Sequence, residues 1–263
     1  MQSDIIVIRG GGDIATGVIQ KFYRSGFNVL ALEMEKPTAI RRSVALCEAV
    51  FTGYASVEDV RCEFITDLSE MYACFKQGNV AMLVDPEAAC LAQIEPAVVI
   101  DATIAKRNLG TNLSMAPLTI GLGPGFTAGK DVHAVIETMR GHDLGRLILD
   151  GGAQPDTGMP GEVGGKSAQR VIHAPVSGNL AHNRRIGDVV EEGEVICTIG
   201  EAAVPAPFKG LLRGLLRDGL YTPKGMKMAD IDPRLDVDWH SISDKARCIG
   251  GAALEAFLYL RRR

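Results

Sequence analysis

Apolar and polar positions change period several times along the chain, and each change marks an element. Ile5, Ile6, Val7 and Ile8 form a short β-branched run, the pattern of a strand buried on both faces. Gly10, Gly11 and Gly12 follow directly, and then Ile14, Val18 and Phe22 recur at helical spacing. The spacing predicts a helix from Asp13 to Gly26, a residue suited to the position just past a helix end, and a strand over Asn28–Leu32. Further on, Pro37 breaks the strand and Thr38 reads as the cap of a helix from Ala39, with Arg41 and Arg42 in its first turn. Strands are expected at 80–84, 98–100, 118–122, 132–136 and 147–149. The tail predicts a closing helix capped by Ser243, with Ile249, Ala253, Ala256, Phe257 and Leu260 as its apolar stripe and Arg261, Arg262 and Arg263 at its end.

Strand, glycine turn and helix in that order make the first unit of a Rossmann-like, dinucleotide-binding fold. Gly10 allows the tight turn, and Gly12 lets a pyrophosphate approach the backbone. Ala15 stands where that pattern accepts Gly or Ala for close helix packing. Backbone N–H groups at Asp13, Ile14 and Ala15 then face an anion, although the Asp13 carboxylate sits where a phosphate would lie. Glu33, at the end of the second strand and 21 residues beyond Gly12, is the expected ribose acid, with Glu35 as a fallback.

Ligands of open α/β sheets bind beyond the carboxyl ends of strands. That rule adds Asp101, Lys106, Arg107 and Asn108 after the fourth strand, and Gly123 and Gly125 in a second glycine-dense loop. Arg41 is a further candidate for an anionic group, because arginine in a first helical turn opposes the dipole and needs another reason to be there. Neither glycine–lysine segment is a Walker loop. The required glycine is Pro124 before Gly129-Lys130 and Pro160 before Gly165-Lys166, and Asp131 supplies no hydroxyl for Mg²⁺. His133 and His142 lie nearest the proposed site, but no nucleophile or carboxylate stands at motif spacing from either.

The segment from Ala153 to Ser167 is rich in Gly and Pro and reads as a connector, or as a flap carrying Glu162. Beyond it the chain repeats itself. APVSGNL from Ala174 is answered by APFKGLL from Ala206, each followed by turns and strands in the same order. The duplication resembles the biotinyl/lipoyl barrel-sandwich hybrid. Met226-Lys227-Met228 has the composition of a biotin acceptor but falls late in the second half. The hairpin between the halves, Gly200–Val204, has no Lys, so no biotin is expected. The expected fold is therefore α/β: a Rossmann-like domain over 1–165, a small all-β domain over 166–235, and a C-terminal helix within 236–263.

Composition narrows the class. The chain has 263 residues, a formal net charge of −4 and 46% hydrophobic residues, so no bulk basicity points to nucleic acid. No apolar run approaches the ~20 residues of a membrane span. The chain enters its first strand at once, leaving no room for an export signal, which predicts a cytoplasmic protein. Six scattered cysteines make no metal-binding pattern, and no metal site is expected. Cys90 follows a strand end at Asp85-Pro86.

The segments VIRGGGDIATGV, IRRSVALCEAV, DATIAKRNLGT, GLGPGFTAGKDVHAVIETMRGHDLGR, PGEVGG and KMADIDPR, in that order, resemble the YqeB family. The first half is also distantly similar to XdhC-type factors. The resemblance implies an accessory role in maturing selenium-dependent molybdenum hydroxylases. It implies the molybdenum cofactor, a phosphate-bearing pterin, as ligand and an apo-hydroxylase as partner, and it assigns no catalytic residue. Two alternatives stay open on the residues alone: an NAD-dependent oxidoreductase of selenium or sulfur metabolism, and a non-catalytic scaffold. Cys90 and Cys47 are the candidates for a selenium-carrying thiol, although neither has a basic or histidine neighbour in sequence to lower its pKa.

Overall fold

The computed structural model describes residues 5–158 and 161–262, and its contacts divide the chain into two units. The first comprises 1–37, 45–156 and 242–263, and the second 38–44 and 157–241. The boundary thus falls at 156/157, and the C-terminal helix joins the first unit. The segment 38–44 leaves the first unit and belongs to the second. Among the described residues no helix is long and apolar enough to cross a membrane.

The first unit is built on one nine-stranded sheet. Its strands are β1 (Ile5–Arg9), β2 (Asn28–Glu33), β3 (Tyr54–Val57), β4 (Val60–Ile65), β5 (Val80–Val84), β6 (Val98–Asp101), β7 (Thr119–Leu122), β8 (Ala134–Ile136) and β9 (Leu147–Ile148). Their spatial order is β3-β4-β5-β2-β1-β6-β7-β8-β9. Strands β4 to β8 and the central pair are mutually parallel, and the edge strands β3 and β9 run antiparallel. The apolar runs have the composition of strands covered on both sides, and β1 is buried throughout.

Helix α1 (Asp13–Arg24) crosses from β1 to β2 with Ala15, Val18, Ile19 and Phe22 buried. Helices α2 (Ala49–Thr52) and α3 (Met71–Lys76) are short. Helix α4 (Asp244–Leu260) packs on α1, and its cap is the expected one, with Ser243 Oγ accepting from Ala246 N at 3.2 Å. Small residues set how closely the two helices meet. A Cβ on Gly17 would stand 2.5 Å from Ala246 O, and one on Gly250 would overlap Gly17 O. Phe257 closes the contact, with ring centroids 5.7 Å from Phe22 and 5.3 Å from Phe27. Of the terminal arginines, Arg263 lies outside the described residues.

The helix expected from Ala39 does not form. Ile40 O accepts from Leu215 N at 2.8 Å, Arg42 Nε donates to Leu215 O at 2.7 Å, and only a 3₁₀ turn follows at Arg42–Val44. The segment's backbone is engaged by a strand of the second unit, which outweighs its weak local helix preference.

The second unit has two four-stranded antiparallel sheets. Its strands are β10 (Val171–His173), β11 (Gly178–His182), β12 (Val189–Val190), β13 (Val195–Ile199), β14 (Ala202–Pro205), β15 (Gly210–Leu215), β16 (Tyr221–Thr222) and β17 (Lys227–Asp232). The sheet orders are β10-β17-β15-β12 and β14-β13-β11-β16. The internal repeat is visible in them. Strands β11, β12 and β13 begin at Gly178, Val189 and Val195, and β15, β16 and β17 begin at Gly210, Tyr221 and Lys227, a constant offset of 32 residues. Exchanging the halves turns one sheet order into the other. Each half lends a strand to the sheet of the other, β12 to β15 and β16 to β11. One core forms between the sheets, with Leu180, Ile196, Ile199, Leu212, Met228 and Ile231 in it. Lys227 opens β17, while Gly200 and Glu201 turn between β13 and β14.

The α1–α4 contact gives a paired test. Gly250→Val sets a side chain against backbone that cannot yield and should cost about 1–3 kcal/mol or more. Gly251→Ala, where a Cβ meets nothing within 4 Å, should be neutral or gain up to about 1 kcal/mol of helix propensity. Equilibrium denaturation of both variants measures the difference.

Candidate functional site

The three glycines after β1 are glycines for three different reasons. Gly10 has φ +102° and donates to Leu32 O at 2.7 Å, and a Cβ there would meet Ala102 O at 3.1 Å. Gly11 is buried: its N donates to Glu33 Oε2 at 2.8 Å, its O accepts from Cys47 N at 2.9 Å, and a Cβ would stand 2.6 Å from Met82 Cε. Gly12 is extended and caps α1 without any side-chain capping bond, and a Cβ on it meets nothing within 4 Å. The first N–H groups of a helix have no partner inside it. Here Thr16 N makes the first helical bond, to Gly12 O at 2.8 Å. The turn through Asp13, Ile14 and Ala15 therefore presents the positive end of α1 under open space, with the Asp13 carboxylate beside it.

Glu33 is turned back onto this turn. Its carboxylate accepts from Gly11 N and, at 2.8 Å, from Met34 N. Burial raises its pKa, and those two N–H bonds oppose the rise. Cys47 packs on Gly11, and burial together with the charges of Glu33, Glu48 and Asp13 pushes its thiol well up.

A buried ion pair supports the neighbouring loop. Arg9 and Asp101 end β1 and β6 at the same register, with Arg9 Nη1 3.3 Å from Asp101 Oδ2. Arg9 also donates to Thr111 Oγ1 and, at 2.7 Å, to Pro86 O. Asp101 is fully buried and further accepts from Thr111 Oγ1 at 2.6 Å, Thr103 Oγ1 at 2.7 Å and Thr103 N at 3.1 Å. Asp101 therefore holds both ends of the loop from Thr103 to Thr111. The loop itself is strained: Ile104 and Lys106 have φ of +54° and +61°, a region that non-glycine residues seldom occupy and that clusters at functional sites.

Arg107 is pressed against the second glycine loop. A Cβ on Gly125, at φ +107°, would stand 2.6 Å from Arg107 Cα. Gly123, at φ +81°, has Thr138 Oγ1 2.5 Å from its Cβ position. Asn108 locks its own turn through Thr111 O and Gly110 N, and Lys106 Nζ pairs with Asp156 Oδ2 at 2.6 Å in an exposed bridge. Arg107 is exposed and makes no hydrogen bond or ion pair among the described residues.

The structure thus sets Gly10 against the 102–103 backbone and Gly11 against Glu33, and separately sets Gly125 against Arg107, with Asp101 buried at the end of β6. Arg41 belongs by its contacts to the second unit. His133 is at the other end of the strands. Its Nδ1 accepts from Thr119 N at 3.0 Å, which requires the neutral ring with its proton on Nε2, and burial lowers its pKa. His142 is in an exposed turn. The sequence pattern does not single out Arg9 or Thr111. The signal for Arg9 was the pair of apolar runs IIVIR and VVID, which end in opposite charges. Among the described residues no group of three or more His, Cys, Asp or Glu could hold a metal ion.

Beyond the ends of β4 and β5 lies a cleft of about 510 Å³, lined by Tyr72, Asp85 and Cys90 among others. Cys90 N donates to Asp85 Oδ2 at 2.8 Å, and burial followed by Asp85 pushes its thiol up to about 12.

No protein-family model matches the chain. It is 51% identical over 257 residues to an uncharacterized protein, YqeB, of Escherichia coli (strain K12), a match that covers 97% of this chain and 48% of the relative. The similarity supports membership of the YqeB family, and the chain spans about half the length of the relative it matches. A crystal structure of an aspartoacylase family protein from Mesorhizobium loti aligns over 88% of this chain and 85% of that one, at 9% identity and a TM-score of 0.29. At that score the likeness carries no argument.

The thiols give a direct check on this environment. Cys248 is exposed, whereas Cys47, Cys62, Cys74, Cys90 and Cys197 are buried. At pH 8, mass spectrometry of the native protein treated with iodoacetamide should show one alkylation, at Cys248, well before any other. Early modification of Cys47 or Cys90 would contradict the neutral, buried thiols described above.

Proposed function

We propose that the first unit binds a phosphate-bearing ligand of nucleotide or pterin type at the amino end of α1. The observation that carries this reading is Gly12, which stands at the cap of α1 with no side-chain capping bond and with open space where a Cβ would lie. The amino end of a helix that opens to space suits an anion. The strand order adds support for a Rossmann-like reading of the sheet. Taking β1, β2, β5, β6, β7 and β8 as first to sixth, their order is 3-2-1-4-5-6, and the glycine turn follows β1, where the order reverses. The strained 104–106 backbone and the exposed Arg107 on the adjacent loop suit a second contact to an anion. The duplicated second unit is read as barrel-sandwich-hybrid-like, on the strength of its exchanged strands.

In the setting that the family resemblance implies, this is an accessory protein in the maturation of selenium-dependent molybdenum hydroxylases. It holds a molybdopterin-type cofactor, or its nucleotide form, for an apo-hydroxylase in the cytoplasm. Such a group supplies redox chemistry to the enzyme that receives it. The residues of this chain that suit its phosphate are the amides from Gly12 to Ala15 and the Arg107 guanidinium. The alternative, an NAD-dependent oxidoreductase, needs Glu33 for a ribose diol. Glu33 already accepts two backbone N–H bonds, which makes NAD the weaker fit.

Calorimetric titration with ADP, NAD and a phosphorylated pterin tests the reading. At least one should bind the wild type, and Gly12→Val should weaken it by about tenfold or more. The same substitution should cost about 1 kcal/mol or less of stability, as a poorer cap. Unchanged affinity in that variant, or no binding by any of the three, contradicts the proposal.

A further inference from the structure

The second unit carries a charged row that its own internal symmetry does not require. Asp230 and Asp232 lie two residues apart on β17 and so on one face of the strand. Both are buried. Arg170 Nη2 lies 3.1 Å from Asp230 Oδ1, and Arg213 Nη1 lies 3.2 Å from Asp232 Oδ2. Arg234 adds two further bonds to Asp232, at 2.8 and 2.9 Å. At the 32-residue offset the other half has Ala181 in place of Arg213, Thr198 in place of Asp230 and Gly200 in place of Asp232. The same strands therefore form in the first half without any of these charges.

The backbone departs from the repeat at the same place. In the first half Ala181 pairs with Thr198 in unbroken register. In the second, Leu212 pairs with Ile231 and Gly214 with Asp230, so Arg213 is the extra residue of a bulge. A bulge re-aims a side chain and is frequent beside functional sites. Gly214 lets the segment 38–44 approach, since a Cβ there would stand 2.7 Å from Ile40 Cγ2. That segment brings Arg41 near Arg213. Arg213 has its pKa lowered first by burial and next by the Arg41 charge, with Asp232 opposing. Two guanidinium donors, Arg170 Nε and Arg213 Nε, are buried with no acceptor among the described residues, and so is Ser43 Oγ on the approaching segment. Buried donors without acceptors are costly, and guanidinium groups crowded together favour a bound anion.

We propose that this row includes a binding site for a tetrahedral oxyanion of the phosphate class, held by Arg213 where the charge of Arg41 lies beside it. The site lies wholly within residues of the second unit and does not depend on the reading of the glycine turn.

Calorimetric titration of the intact protein with inorganic phosphate, at ionic strength matched with chloride, tests the proposal. The variants are Gly12→Val, Arg213→Gln and Arg213→Lys. Phosphate should bind the wild type and Gly12→Val alike, which separates this site from the helix terminus. Affinity should fall by about tenfold or more in Arg213→Gln and by less in Arg213→Lys, which keeps the charge and loses the fork. Arg234 still pairs with Asp232 in both variants, so the buried carboxylate keeps a partner. Should Arg213→Gln fail to fold, Arg213→Lys alone decides. Wild-type affinity in either folded Arg213 variant overturns the proposal. So does binding lost in Gly12→Val, or no binding to the wild type, which would leave the orphan donors to water.

Discussion

The ion pair between Arg9 and Asp101 is the constraint on which the carboxyl end of the sheet in the first unit depends. It joins the last residues of two adjacent parallel strands, where the apolar sheet gives way to loops. A charge buried there requires a partner, and breaking such a pair by removing one member typically costs about 3–5 kcal/mol. The two side chains do more than neutralise each other. Arg9 reaches Pro86 O beyond β5, and Asp101 accepts from the N–H and hydroxyl of Thr103 and from the hydroxyl of Thr111. One pair thus fixes the exits of β1, β5 and β6. The strained backbone at Ile104 and Lys106 persists because both ends of its loop are held.

The glycine turn shows the complementary device, in which absent side chains do the positioning. Gly10 and Gly11 are filled by protein, the first by the 102–103 backbone and the second by Cys47 and Met82. Gly12 alone opens to space. Helix α1 then has to be held in register behind it, and the small residues Gly17, Ala246 and Gly250 do this by letting α4 lie against its backbone. The second unit reaches order by duplication, two copies of one strand pattern exchanging a strand each. Where duplication has a regular solution, a departure from it stands out, and Arg213 with its bulge is such a departure.

Much of the first unit was legible because period and punctuation agree there. A β-branched run, three glycines, a helical stripe and Gly26 admit few other readings, and Ser243 marked α4 for the same reason. The hairpin of β3 and β4 is not legible in the sequence, since YASV and VRCEFI are short and mixed in polarity. Nor is the fate of 38–44, whose hydrogen bonds go to a strand some 175 residues away in sequence. For the site, glycines are informative because their reasons are local. Asp101, Lys106 and Asn108 looked alike as polar residues after a strand. Only tertiary partners separate the buried organiser from the exposed ion pair and the turn lock.

The central claim is that the amides opening α1 receive an anionic ligand. The most direct measurement is the amide ¹⁵N–¹H spectrum of the labelled protein, titrated with ADP. The account predicts that the resonances of Gly12, Asp13, Ile14 and Ala15 shift saturably and more than those of other backbone amides in the first unit. A titration in which these four stay fixed while ADP binds elsewhere would contradict it; should ADP not bind, the same titration with NAD and a phosphorylated pterin decides, and binding by none of the three contradicts it.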